Sequence, residues 1–267
     1  MLSATEIESF RDQGFLVKRA TFDADEIARL REGFTYIESL VEEGGIDPQY
    51  LSGKDREVHI HIQPQAGAAD ASVRCLRKVQ WPSMIHPAFE QLRTSPKFAA
   101  LLEPLIGTTL KQYINQIEFP WHQDIRPIPA FRAQVDNYVQ TIIVVDEATV
   151  ANGCLYVVPE SHKLGNLKVK RYAERQIEDH VDVSRAVALE AAPGDVVMFT
   201  SYTVHGSKPN TTDAPRRSYM NGFVRASSCD VGKWAFLEGK AVPITSDHDY
   251  HTIRRSGKRP ISMPPKL

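Results

Sequence analysis

The sequence predicts a mostly β fold with flanking helices, whose core is an antiparallel double sheet of the jelly-roll kind. Amphipathic helical patterns are confined to the N-terminal part of the chain, up to about residue 107. From residue 108 onward the chain consists of short runs rich in β-branched and aromatic residues, separated by turn residues. Helices followed by many short strands favour a two-sheet core with the helices packed on one outer face.

The N-terminal helices are predicted from capping residues and hydrophobic spacing. Ser3 and Glu6 form a capping-box pattern, and Gly14 is expected to end this helix before an extended segment. A second helix is predicted from apolar residues that recur on one helical stripe, namely Ile27, Leu30, Phe34, Ile37 and Val41. A third helical pattern contains Pro96 and Pro104, and we expect both prolines to break it.

Short strands account for most of the chain after residue 108. In chain order the predicted strands are Thr109–Phe119, Tyr138–Val145, Leu155–Val158, Ala186–Leu189, Val196–Thr200 and Ser218–Val224. The segment from about Asp230 to Leu267 is rich in Pro, Arg, Lys and His, and we expect an irregular tail there. The sequence contains no convincing linker, so we expect a single domain over residues 1–267, with a β core of about 108–226.

Composition and charge exclude several classes of function. Lys and Arg number 32 against 33 Asp and Glu, without a long run of one sign, which argues against nucleic-acid and membrane-surface partners. Cys75, Cys154 and Cys229 form no Cys-x-x-Cys pair, which argues against a disulfide framework and a zinc–thiolate site. The N-terminus does not resemble a secretory leader, and no long apolar run occurs. We therefore expect a cytoplasmic protein, a monomer or homodimer, that binds a small-molecule substrate.

One histidine lies two residues before an aspartate in a segment that reads as extended. In Trp121–Asp124, His122 and Asp124 point to the same face of the chain, so an imidazole and a carboxylate converge on one point. Two histidines and one carboxylate hold iron(II) in non-haem oxygenases and leave positions open for a co-substrate and dioxygen. The same spacing occurs at His180 and Asp182, so this pattern alone does not identify a site.

Residues further along the chain complete a possible site. The apolar strand that begins at Val196 is followed by His205, which supplies a second imidazole. A later strand begins near Arg216, whose guanidinium can bind a distal carboxylate, and Ser218 lies two residues on and on the same face. Such an arrangement suits a dicarboxylate co-substrate.

With these motifs in order, the chain resembles the phytanoyl-CoA dioxygenase family of iron(II)/2-oxoglutarate oxygenases. The segments that carry the resemblance are Asp12-Gln13-Gly14-Phe15-Leu16-Val17, Lys78-Val79-Gln80, Trp121-His122-Gln123-Asp124, Asn152-Gly153-Cys154-Leu155, Pro159-Glu160-Ser161-His162 and His205-Gly206-Ser207 with Arg216. The resemblance implies a double-stranded β-helix fold and the cofactors iron(II), 2-oxoglutarate and O2. It implies iron ligands at His122, Asp124 and His205, and 2-oxoglutarate contacts at Arg216, Lys78 and Ser218. Glu160 stands where the family more often has glycine, so the turn there is expected to differ.

The reaction that the resemblance implies is oxidation of a C–H bond, coupled to conversion of 2-oxoglutarate to succinate and carbon dioxide. Because Asp124 is present, the site lacks the ligand position that related halogenases use for chloride, which favours hydroxylation. Desaturation and ring formation stay open. Two other interpretations also stay open, a cupin-like metalloenzyme that does not use 2-oxoglutarate and a catalytically silent metal-binding homologue.

Four residues are weaker candidates for substrate contacts. Gln116 and Gln140 fall on strands expected to line the barrel, where an inward polar residue either contacts a ligand or is a hydrogen-bonded core group. Arg126 could attract an anionic substrate, and His162 either reaches the site or stabilises its turn. Together with the absence of a basic channel for an acyl-CoA, these residues favour a small metabolite or natural-product intermediate as substrate.

Overall fold

The structure is a computed structural model, and it describes residues 1–42, 59–64, 74–114, 122–124, 137–167, 177–230 and 232–244. The α-helices in these segments are α1 (Ala4–Gln13), α2 (Ala24–Glu42), α3 (Pro87–Arg93) and α4 (Pro96–Ile106). The strands are β1 (Phe15–Lys18), β2 (His59–Pro64), β3 (Arg74–Gln80), β4 (Leu110–Ile114), β5 (Tyr138–Val144), β6 (Leu155–Val157), β7 (Val187–Leu189), β8 (Val196–Thr200), β9 (His205–Ser207), β10 (Ser218–Arg225), β11 (Lys233–Leu237) and β12 (Lys240–Ala241). Among the described helices, none has the length and hydrophobicity that crossing a membrane requires.

The helices follow the capping and spacing signals of the sequence with one exception. Helix α1 begins with the predicted capping box and ends at Gly14, which has a φ of 84°. The third helical pattern breaks before Pro96, as predicted, and gives α3 and α4. The predicted break at Pro104 is wrong, because α4 continues to Ile106. A proline this close to the C-terminal end removes a single late helical hydrogen bond, and the apolar face of α4 still holds the helix against the core.

The larger sheet has seven strands in the order β1-β8-β5-β10-β4-β11-β12, and every neighbouring pair is antiparallel. The expectation of an irregular tail from residue 230 is wrong for its first part, because β11 and β12 extend this sheet. Trp234, Ala235 and Phe236 on β11 are buried, so burial of apolar area stabilises the added strand. Lys233, which made the segment read as polar, is itself buried and lies over the ring of Trp81 at 5.1 Å.

A smaller antiparallel sheet, in the order β7-β6-β9, lies against part of the larger one. Between the two sheets is an apolar cluster to which β5 and β8 contribute Ile142 and Val197, and the small sheet contributes Val157 and Leu189. The other face of the larger sheet carries residues such as Phe223, which pack with α2, α3 and α4 in a second cluster. The described residues therefore include two facing sheets with helices on one outer face, as the sequence predicted. A third, two-stranded antiparallel sheet is formed by β2 and β3.

Candidate metal centre

The two histidines of the predicted site face each other across a backbone pair. The His122 N–H donates to the His205 carbonyl at 2.9 Å, and the His205 N–H donates to the His122 carbonyl at 3.0 Å. Directly opposed residues of an antiparallel pair project their side chains to the same face. The two imidazole rings accordingly lie side by side, with centroids 4.2 Å apart. This backbone pair also attaches the segment 122–124 to the edge of the small sheet beside β9.

Asp124 completes a compact set of donor atoms. Its carboxylate lies 3.5 Å from Nε2 of His122 and 4.0 Å from Nε2 of His205, and one ligand atom from each residue lies within 4.8 Å of the others. All three side chains are buried. Two neutral imidazoles and one carboxylate match the ligand set that binds iron(II) in non-haem oxygenases, so the residues present fit this metal.

The tautomer of His205 is fixed by a neighbouring carbonyl. Nδ1 of His205 lies 2.9 Å from the carbonyl oxygen of Thr203, and a carbonyl can only accept, so Nδ1 donates and Nε2 is left for the metal. Thr203 is held in turn by its own hydroxyl, which donates to the carbonyl of Gly14 at 2.7 Å. The end of helix α1 thus supports the residue that orients a candidate ligand.

A pocket between the two sheets contains the three candidate ligands. Arg216, Ser218 and Gln140 line the same pocket, as the sequence predicted for residues that face inward. Its apolar lining includes Ile142, Val144, Leu155, Leu189, Val197 and Met220. Ser218 and Met220 lie two residues apart on β10, so their side chains share one face of the sheet. Their partners on β5, Val144 and Ile142, lie on the same face. The pocket is therefore a mostly apolar space with a metal-binding group, a guanidinium and a hydroxyl.

Gln140 was predicted to be either a ligand contact or a hydrogen-bonded core group, and its position is compatible with both. It is fully buried and lines the pocket, and its amide oxygen accepts a hydrogen bond of 2.6 Å from the hydroxyl of Tyr138. Its amide nitrogen donates to the carbonyl of Thr141 at 3.2 Å. Gln140 is therefore a hydrogen-bonded group that also forms part of the pocket wall.

Arg217 also reaches the rim of the pocket, but its guanidinium has a different environment. It donates to the carboxylate of Asp146 through Nε at 2.7 Å and Nη2 at 3.2 Å, and its backbone N–H donates to the same carboxylate at 3.0 Å. Burial alone would raise the pKa of Asp146, but these hydrogen bonds outweigh it and hold the pKa below its usual value. Arg217 is thus paired with Asp146 within the protein.

His162 was predicted either to reach the site or to stabilise its turn, and its described contacts lie in the turn. His162 is 4% exposed, and it is absent from the residues that line the described part of the pocket. Its Nε2 lies 3.0 Å from the carbonyl oxygen of Arg11. A Cβ on Gly14 would collide with the His162 ring, so the ring packs against the end of α1. The alternative role in stabilising the turn is the one that the contacts support. Glu160 in the same turn has a φ of 63°, so it adopts the left-handed conformation for which glycine is better suited.

Other predicted residues are not brought to the described pocket. Lys78 lies on β3 and is half-buried, and it is absent from the residues that line the described part of the pocket, so its contact with 2-oxoglutarate stays a prediction. Gln116 and Arg126 lie outside the described residues. The rival pair is not a site in the described structure, because His180 is exposed and Asp182 caps a short 3-10 helix by accepting from the N–H of Ser184.

Two residues that the sequence reasoning did not single out for this purpose hold the ligand segments in place. The hydroxyl of Ser161 accepts from the N–H of Val204 at 2.8 Å and donates to the carbonyl of Val158 at 2.7 Å. The amide of Gln123 hydrogen-bonds the backbone of Gly165 and Tyr202. The sequence carries no signal for three of these contacts, because their partners are backbone atoms of segments distant along the chain.

A comparison with protein families identifies the chain. Residues 10–218 match the family model described as phytanoyl-CoA dioxygenase (PhyH). The chain belongs to the phytanoyl-CoA dioxygenase family. As a member of this family, the protein is an iron(II)/2-oxoglutarate-dependent dioxygenase, and the predicted reaction class and cofactors are confirmed.

Relatives of the family extend over most of the chain. A methylphosphonate hydroxylase from Gimesia maris is 32% identical over 227 residues, which are 81% of this chain and 78% of that protein. A protein from Stutzerimonas stutzeri named "Probable alpha-ketoglutarate-dependent hypophosphite dioxygenase" is 25% identical over 247 residues, 84% of this chain and 79% of that protein. The crystal structure of EctD from S. alaskensis in its apo form is similar with a TM-score of 0.65 at 21% identity, covering 91% of this chain and 82% of that one. This likeness confirms the predicted fold class.

Proposed function

We propose that the enzyme holds iron(II) with His122, Asp124 and His205 and hydroxylates a small polar or anionic metabolite. We propose further that Arg216 and Ser218 bind the distal carboxylate of 2-oxoglutarate. The observation that carries the proposal is the convergence of three buried donor atoms within 4.8 Å in a pocket that Arg216 and Ser218 also line. The resident iron would supply activation of dioxygen at the expense of 2-oxoglutarate.

The protein's own contribution is orientation and exclusion of water. The Thr203 carbonyl keeps the proton of His205 on Nδ1, so that the ring presents a lone pair on Nε2. Arg216 offers a planar fork to a carboxylate, and Ser218 offers a hydroxyl on the same strand. The apolar residues between the sheets limit water around the reacting groups, which strengthens these charged contacts.

The substrate class is supported by the pocket and by the relatives. Apolar pockets with a few placed polar groups suit ligands that those groups can orient. Two relatives that match four-fifths of the chain carry names that refer to methylphosphonate and hypophosphite, which are small phosphorus oxyanions. A small anion or polar metabolite is therefore favoured over a long acyl thioester, and the enzyme is expected to act in the cytoplasm as a monomer or homodimer.

The metal assignment is tested by iron binding. The anaerobic apo protein should bind Fe(II) at one site, and His122→Ala should lose most of that affinity while staying folded, because one of three ligands is gone. Titration against a chromophoric chelator measures both proteins, and circular dichroism checks the fold. A folded His122→Ala protein that binds Fe(II) as tightly as the parent would refute the assignment.

The substrate class is tested by a panel assay. The Fe(II)-loaded enzyme is incubated with 2-oxoglutarate and, in separate reactions, with methylphosphonate, other short phosphonates, hypophosphite, small polar metabolites and phytanoyl-CoA. Succinate and a product with one added oxygen are both measured. Product from a small compound supports the proposal, whereas efficient turnover of phytanoyl-CoA alone contradicts it.

A further inference from the structure

Gln123 lies between two candidate iron ligands but faces away from the pocket. Because His122 and Asp124 share one face of an extended segment, the side chain between them projects to the opposite side. There Gln123 is 8% exposed. Its amide nitrogen donates to the carbonyls of Gly165 at 2.9 Å and Tyr202 at 2.7 Å, and its amide oxygen accepts from the N–H of Leu167 at 3.1 Å. Both N–H groups and the carbonyl of this side chain are therefore engaged.

The partners of Gln123 belong to the segments that carry the third ligand. Tyr202 immediately precedes Thr203, whose carbonyl orients the ring of His205. Gly165 and Leu167 follow the short 3-10 helix Ser161–Leu164. The first residue of that helix, Ser161, accepts from the N–H of Val204, next to His205. The amide of Gln123 thus ties the segment 122–124 to both supports of the His205 strand.

These bonds complement the backbone pair between the two histidines. That pair fixes the chain at His122, and the three bonds of Gln123 fix the next residue, from which the direction of the Asp124 side chain follows. In the apo protein, no bond to a shared ion holds the carboxylate of Asp124 and the two imidazoles in this arrangement. A rigid support is therefore needed to keep the three donors together before the metal binds.

We propose that Gln123 is a positioning residue for the iron site, which preorganises His122 and Asp124 against the His205 segment. The inference rests on the proposed metal site. Groups behind metal ligands commonly change metal affinity by about 10-fold to 100-fold when they are removed. The effect is expected on the affinity of the apo protein for the metal, because the contacts are present before any metal or substrate is bound.

The test compares Gln123→Met with a matched variant elsewhere. Methionine keeps the length of the side chain and removes its hydrogen bonds. Asn152 is a matched control, because it is a buried amide that accepts from the N–H of Thr149 and donates to the carbonyl of Glu147, both at 2.8 Å. Both Gln123→Met and Asn152→Leu should lower the melting temperature of the apo protein. The dissociation constant for Fe(II), from anaerobic chelator competition, should rise about tenfold or more in Gln123→Met and stay within about twofold in Asn152→Leu.

A second measurement reports on the geometry of the site. With Fe(II) and 2-oxoglutarate bound without oxygen, the visible charge-transfer band should shift or weaken in Gln123→Met and match the parent in Asn152→Leu. Gln123→Asn, which keeps an amide one methylene shorter, serves if the methionine variant does not fold, and it should also weaken Fe(II) binding.

Three results would overturn the inference, and one of them would also refute the proposed metal site. Fe(II) affinity within about twofold of the parent in a folded Gln123 variant would show that the amide does not position the ligands. Equal loss of affinity in Asn152→Leu would reduce the effect to general stability. A parent protein that does not bind Fe(II) would refute the metal site itself, together with this inference, whereas the first two results leave the metal site standing.

Discussion

Arg216 and Arg217 are neighbours on the chain with different surroundings. Arg217 is paired with Asp146, and Glu38 lies within 3.8 Å of its guanidinium. Arg216 lies in the pocket with the candidate iron ligands, just before β10 begins. Because successive residues of an extended chain face opposite ways, a shift by one residue would exchange their roles. The proposed binding of 2-oxoglutarate therefore depends on which of the two guanidinium groups, that of Arg216 or that of Arg217, faces the co-substrate.

The predicted binding of the distal carboxylate of 2-oxoglutarate by Arg216 is tested by replacing each of the two arginines. Arg216→Ala should weaken 2-oxoglutarate binding about tenfold or more, because a charge-assisted pair of hydrogen bonds is lost. Arg216→Lys should also weaken it, because an ammonium does not reproduce the planar fork. The charge-transfer band of the anaerobic Fe(II) enzyme measures the affinity. Arg217→Ala is the control, with lower stability but nearly parental affinity, and the reverse pattern would exchange the two assignments.

Gln140 supplies a prediction about coupling. It forms part of the pocket wall and receives the hydroxyl hydrogen bond of Tyr138. Gln140→Leu keeps the approximate size but removes the polar group, so a substrate would be held less accurately near the metal. We expect 2-oxoglutarate still to be consumed, with several-fold less hydroxylated product per succinate, since small errors in position slow the transfer step strongly. An unchanged ratio of product to succinate would assign Gln140 to the core alone.

At the level of elements, the turn around His162 packs against the end of α1, close to residues that support the candidate metal site. Burial lowers the pKa of His162 below its usual 6.5, although the hydrogen bond to the Arg11 carbonyl acts in the opposite direction. The charged groups nearby are Lys163, which lowers the pKa further, and Asp12 and Glu160, which raise it. Protonation of this ring would place a charge against the end of α1.

This burial predicts a pH dependence of stability. Since the folded protein has the lower pKa, the unfolded chain binds the proton more readily, so the free energy of unfolding should fall as pH drops through and below 6.5. His162→Gln should show a smaller fall between neutral and mildly acidic pH in urea unfolding. The matched control is His180→Gln, at an exposed histidine, which should keep the parental dependence. Parallel curves for the parent and His162→Gln would exclude His162 as a source of the dependence.

The elements themselves were predictable where local signals and burial agree. The helices α1 and α2 follow from a capping box and an apolar stripe, and β5, β8 and β10 follow from dense β-branched runs. Strand β11 was missed because a buried lysine, Lys233, lies in it, and its stabilising contact with Trp81 is far away in sequence. The candidate ligands His122 and Asp124 could be found from the sequence because spacing by two residues fixes a shared face. The contacts of Gln123 and His162 could not be found from the sequence, because their partners are backbone atoms brought close only by the fold.

On the scale of the whole molecule, the two faces of the larger sheet contact different parts of the protein. One face forms the pocket with the small sheet, and the other packs on the helices. Behind the second face lies a buried polar network around Arg93, which is fully buried. Its guanidinium forms two hydrogen bonds of 2.7 Å to Glu90 and donates to the carbonyls of Trp234 and Val242, both at 2.9 Å. Helix α3 is thereby tied to the C-terminal strands.

This division predicts that stability and co-substrate binding can be separated. Arg93→Met keeps the aliphatic stem but removes the donor of two buried carbonyls and leaves the Glu90 carboxylate with only the N–H of Ile244, at 2.8 Å, among its described donors. It should therefore lower the free energy of unfolding by about 3 kcal/mol. Because α3 packs on the face away from the pocket, the variant that remains folded should bind 2-oxoglutarate within about twofold of the parent. Urea unfolding and the charge-transfer titration measure the two quantities.

The control is Arg185→Met, whose side chain is 62% exposed and lies 3.7 Å from Glu160. This variant should change the free energy of unfolding by less than about 0.5 kcal/mol. A loss of co-substrate affinity in Arg93→Met as large as that in Arg216→Ala would show that the two faces of the sheet are coupled, contrary to the separation inferred from their packing.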